Sequence, residues 1–104
     1  MQIPKKVKIG LHEYEVLYPY NFEKNKEDFC IGRINKRLHQ IQIRQDNKSN
    51  IRIIETFIHE ILHGIDYELG INLYEEQVSK LAEGILMVLC NNGWLKLTGD
   101  KIEQ

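Results

Sequence analysis

The sequence predicts an α+β fold, with a small N-terminal antiparallel sheet of about four strands followed by two main helices. Residues 1–45 are rich in β-forming side chains, alternate apolar with polar positions, and are broken by turn residues. Residues 50–97 instead repeat apolar side chains at spacings of three and four. The length of 104 residues allows one domain and no second core. That domain divides into a sheet half over 1–45, a helical half over 46–97 and a polar, flexible tail over 98–104. A hydrophobic fraction of 42% and a charged fraction of 28% exclude disorder for most of the chain.

Val7 and Ile9 alternate with lysines, and Tyr14, Val16 and Tyr18 alternate in the opposite phase. A phase switch across residues 10–13 predicts a tight turn between two strands. Pro19 ends the second strand, and residues 21–28 form a charged loop. Residues 29–34 read as a third strand, Asn35-Lys36-Arg37 as a hairpin turn, and residues 39–44 as a fourth strand with Ile41 and Ile43 facing inward. Several possible helix caps lie within 46–50. A helix then runs to about Leu69 on the stripe Ile54, Phe57, Ile58, Ile61, Leu62, Ile65 and Leu69, with Gly70 as its stop. A second helix covers about 73–91, with Val78, Leu81, Ala82, Ile85, Leu86 and Leu89 as its apolar stripe. Trp94, Leu95 and Leu97 are expected to fold back as a short amphipathic piece.

Fourteen Lys and Arg against fifteen Asp and Glu leave a net charge of −1, which argues against a nonspecific pull toward nucleic acid or anionic lipid. No apolar run approaches the 18 residues or so of a membrane span, and residues 1–6 lack the apolar core of a signal peptide. Cys30 and Cys90 form no CxxC and read as thiols in a reducing cytoplasm.

The chemistry sits in the first helix, as His59-Glu60-Ile61-Leu62-His63. Residues i and i+4 share a helix face one turn apart, so both imidazoles reach a single metal ion. Zn²⁺ suits two neutral imidazoles and a carboxylate and leaves a fourth position for water. Glu60 lies beside that water, where it can take its proton. The expectation is one Zn²⁺ per chain, with His59 and His63 as ligands.

A third protein ligand is required, and the downstream candidates are Glu68, Glu75, Glu76 and Glu83; Glu68, on the same helix five residues past His63, points elsewhere. Glu75 shares a face with Val78, Ala82, Ile85 and Leu86, the face that packs on the first helix. The same residue could instead close a capping box with Asn72 as N-cap. Glu76, in line with Lys80 and Glu83, is the alternative ligand. Asp66, at i+3 from His63, could accept the other ring N–H of a ligating histidine or stand solvated. His39 and His12 could be surface strand residues. His39 is the better candidate for a transition-state donor, a role for which Tyr67 and Tyr74 compete.

The segment Thr56-Phe57-Ile58-His59-Glu60-Ile61-Leu62-His63-Gly64-Ile65-Asp66 resembles the metal helix of zincin metallopeptidases. Residues 75–86 resemble small metallopeptidases encoded by phages and mobile elements, distantly similar to the group that cleaves phage-type repressors. Tyr74 stands where a Ser or Thr cap is usual in that pattern, and Ser79 where an acidic or amide residue is. The resemblance covers about residues 54–92 and implies a zincin-like minimal core. It also implies hydrolysis of a peptide bond by zinc-activated water, with Glu60 as general base. The partner is then a peptide or protein substrate, a regulatory protein being one such, lying along the strand at 39–44 as a sheet edge. The alternatives are a non-catalytic zinc-binding regulatory protein and an inactive phage or prophage accessory factor. A purely structural zinc site would have no need of Glu60 beside the first histidine. The substrate and the oligomeric state are not written in the sequence.

Overall fold

The computed structural model describes residues 3–21, 31–45 and 50–95. Its elements are β1 (Lys6–Ile9), β2 (His12–Leu17), β3 (Gly32–Asn35), β4 (Gln40–Ile43), α1 (Asn50–Leu69) and α2 (Glu75–Asn91). The α+β architecture is as the sequence predicts: four strands, then two helices. The loop expected at 21–28, the caps expected within 46–50, Cys30, Leu97 and the tail expected at 98–104 lie wholly or largely outside the described residues.

Two details of the sheet differ from expectation. Its order is β1-β2-β4-β3, and β2 pairs with β4 in parallel, with Val16 opposite Ile41. The sheet is therefore mixed, because β4 returns beside β2 in the same direction instead of closing a meander. The strand expected as a peptide-docking edge, β4, is internal; the edges are β1 and β3. Its central place explains why Ile41, Gln42 and Ile43 are all buried. Gln42 tolerates burial because its Oε1 accepts from Arg33 Nε at 2.5 Å.

The β1–β2 hairpin turns on Gly10, whose φ of +62° is the left-handed conformation that glycine adopts without a Cβ penalty. Across it, Val7 faces Tyr14 and Ile9 faces His12. Ile9, Tyr14, Val16 and Tyr18 go to the core, where Ile41 and Ile43 of β4 and Ile3, ahead of β1, join them. Ile53, Ile54 and Phe57 of α1 cover this apolar face, and Leu86 of α2 completes it. Ile58, Ile61 and Ile65 pack partly buried against the same cluster. Leu69, at the end of the helix, is exposed.

α1 stops at Gly70, with φ +63°. The carboxylate of Asp66 then holds the link, its Oδ1 accepting the backbone N–H of Asn72 at 2.6 Å and of Leu73 at 3.1 Å. α2 returns antiparallel against α1, burying Val78, Ala82 and Leu86. Leu81 and Ile85, expected on that stripe, face outward with Val88. Leu95 folds back onto the core, whereas Trp94 is exposed. Cys90 is a half-buried free thiol. No described helix is long and apolar enough to cross a membrane.

Candidate metal centre

His59 and His63 lie in mid-α1, on the side turned toward β3 and the start of α2. Their positions follow from helix geometry alone: one turn apart, the rings meet edge to face at 4.8 Å, with the two Nε2 atoms 3.1 Å apart. The carboxylate of Glu75 closes the group. Its Oε1 lies 2.7 Å from His59 Nε2, and its Oε2 lies 2.8 Å from His63 Nε2.

Glu75 reaches this position because α2 begins at it. The N-cap is Tyr74, and Gln77, not Glu75, supplies the returning acceptor, its Oε1 taking the Tyr74 N–H at 2.9 Å. The capping box centred on Asn72 is thus not formed: Asn72 sits in the link with φ +68°. Glu75 is left free of backbone duty and stands in the first turn, where the helix dipole favours a negative charge. Glu76 is exposed on the neighbouring face.

The three side chains offer two imidazole nitrogens and a carboxylate oxygen, all near one another. A tetrahedral Zn²⁺ spaces its ligand atoms about 3.3 Å apart, so the trio would need to open by only a few tenths of an ångström. Burial pushes the pKa of His63 down; Glu75 opposes this, while His59 and Lys36 add to it. A lowered value favours the neutral imidazole, the form that ligates a metal.

Glu60 is one residue from His59 and only 6% exposed. Burial raises its pKa to about 7, Glu75 adds repulsion, and Lys36 draws it part of the way back. A carboxyl that titrates near neutrality is suited to taking and returning a proton.

Beside these groups runs an open groove of about 840 Å³. One wall is the edge strand β3 with Gly32, Arg33 and Ile34, followed by Lys36. The other is α1 with Arg52, Glu55 and Thr56, and Ser79 of α2 closes it beyond Glu75. Gly32 sets the distance between the walls: a Cβ there would collide with Thr56 Cγ2 and stand 3.3 Å from Glu60 Cγ.

Three expectations are corrected. His39 is not in the groove. The parallel pairing aligns Gln40 with Glu15, which brings His39 beside Tyr14 and His12 at the far end of the sheet. Asp66 holds the interhelical link instead of a histidine ring. Tyr67 and Tyr74 do not line the groove; Tyr67 carries Lys36 Nζ over its ring at 5.2 Å. Lys36, like Arg33, Arg52 and Glu55, is a groove residue that sequence reasoning missed. Its place in a hairpin turn was legible, but the direction in which that hairpin faces was not. Among known proteins, no family profile, curated sequence or solved structure matches this chain.

Proposed function

We propose that this protein is a zinc-dependent peptidase whose metal is held by His59, His63 and Glu75. The observation that carries the reading is the convergence of those three side chains beside a buried acid in an open groove. The resemblance of residues 54–92 to zincins, and to metallopeptidases of phages and mobile elements, points the same way. When bound, the metal supplies Lewis-acid polarisation and lowers the pKa of water in its open position.

The rest is work for the chain. Glu60 takes a proton from the attacking water at a carboxylate oxygen and delivers it to the leaving amine. Lys36, on the groove wall, carries a positive charge that is felt at both Glu60 and His63 and would favour negative charge developing on a scissile carbonyl oxygen beside them. Among the described residues β3 stands at the end of the strand order and lines the groove, so an extended peptide bound there would lie along β3 rather than β4. The substrate is an extended segment of a peptide or protein, a regulatory protein if the resemblance extends that far, met in a reducing cytoplasm.

The test is metal analysis of untagged protein followed by mass spectrometry of a diverse peptide library. We expect one zinc in this centre, and cleavage that a chelator stops and Zn²⁺ restores. Zinc without cleavage would move the protein to the non-catalytic alternative, a zinc-binding regulatory or accessory protein. Wild-type protein whose metal content does not depend on His59 would overturn the reading.

A further inference from the structure

We propose that His12, His39 and Glu68 form a second site for a divalent transition metal, at the opposite end of the sheet from β3's groove-lining glycine. The three side chains come from three elements. His12 opens β2, His39 immediately precedes β4, and Glu68 is in the last turn of α1. The parallel β2–β4 pairing places the two histidines side by side, with ring centroids 4.4 Å apart and planes at 28°. Glu68 comes up against them because the β1–β2 turn passes close over it: a Cβ on Gly10 would lie 3.5 Å from Glu68 Cβ.

The donors are those that zinc, nickel and copper take: two imidazoles and a carboxylate. One nitrogen or oxygen from each lies within 4.8 Å of the others. His12 Nδ1 and Glu68 Oε2 are already 2.8 Å apart. The carboxylate is held in place from its other side, since the Tyr14 hydroxyl donates to Oε1 at 2.8 Å. Buried Tyr14 therefore fixes Glu68 while leaving one oxygen for a ligand, the arrangement that orients metal-binding carboxylates.

His39 is held at φ +53°, a left-handed conformation uncommon for a residue other than glycine. That backbone turn sets its ring against His12. The His12 side chain is 47% exposed, so an ion reaches the cluster from solvent and the ring has room to swing toward it. Without an ion, His12 Nδ1–H can donate to Glu68 Oε2; ligation through Nδ1 would leave the ring proton on Nε2. Occupancy would tie the starts of β2 and β4 to the end of α1, just before the link that leads to Glu75.

The experiment is equilibrium dialysis of chelator-stripped full-length protein against Zn²⁺, with the bound metal counted per chain. Wild type should bind two ions. His39→Asn should bind one; asparagine tolerates a left-handed backbone but brings no imidazole. Glu68→Gln should also bind one. His59→Ala should bind one as well, and His59→Ala combined with His39→Asn none. Melting of the stripped variants checks that each is folded, and His39→Asn alone suffices where Glu68→Gln is not. Two ions retained by folded His39→Asn would overturn the proposal, as would a wild type that binds one ion and loses it with His59→Ala. A wild type that binds one ion, keeps it in His59→Ala and loses it in His39→Asn would support this site while overturning the peptidase centre.

Discussion

Glu60 and Glu75 are both carboxylates near the same two imidazoles, yet their surroundings give them different work. Glu60 is buried and its pKa is pushed up to about 7, whereas the Glu75 side chain is 68% exposed and has both oxygens on histidine nitrogens. Glu60→Gln is therefore expected to retain the metal and the fold while hydrolysis of any cleaved peptide falls by at least about a hundredfold, the scale of a lost general base. Equal turnover by wild type and this variant would remove Glu60 from that role. Glu75→Ala should lose most of the zinc affinity of this centre, and Glu76→Ala should not. Competition with a chromophoric chelator reads both variants, and the reverse order would transfer the ligand to Glu76. The His59–Glu60–His63 arrangement was legible because it depends only on helix geometry, which sequence spacing specifies. Glu75 was legible from its stripe, although Gln77 took the capping role in an unforeseen way. His39, Asp66 and Lys36 were not, since each depends on which segments meet in three dimensions.

At the scale of elements, both helices lie close to where their 3.6-residue periodicity places them. The strands do too, but alternation says only that a strand has two faces, not which strand lies beside it. A parallel β2–β4 pair has the same local pattern as an antiparallel one, so its presence, and the edge position of β3, could not be read in advance. At Gly32, β3 packs closely on Thr56 and Glu60 of α1. Gly32→Ala forces β3 away from Thr56 and Glu60 and should cost about 1–3 kcal/mol, the usual range for overpacking. Denaturant unfolding measures this; an unchanged midpoint would show that the groove wall is not held at that separation. Leu81 and Ile85 of α2 carry a related lesson: at helical spacing they look like core, but α1 is too narrow a partner to cover them.

For the whole molecule, the proposed zinc binding would couple stability to metal, and burial of a phenol couples it to pH. Zinc at about a hundred times its dissociation constant stabilises a folded protein by about 2.7 kcal/mol. In a domain of this size that raises Tm by roughly 10–20 °C. Calorimetry with and without Zn²⁺ should show such a rise, and His59→Ala or His63→Ala should leave only what the His12–His39–Glu68 cluster contributes. Burial raises the pKa of the Tyr18 phenol, so the folded state prefers it neutral. That contribution is complete below the unfolded value of about 10 and is lost as pH rises through the higher folded value. Tyr18→Phe should therefore lose less stability than wild type above about pH 10, measured by thermal melts across that range. The proposed catalytic centre has a further consequence. All its donors fall between His59 and Glu75, on two helices joined by a link pinned by Asp66. Little loop-closure entropy is spent in bringing them together. The helical hairpin alone carries the donor set, so an ion bound there would not depend on the longer-range pairings of the sheet. The sheet would contribute the walls that decide what may approach.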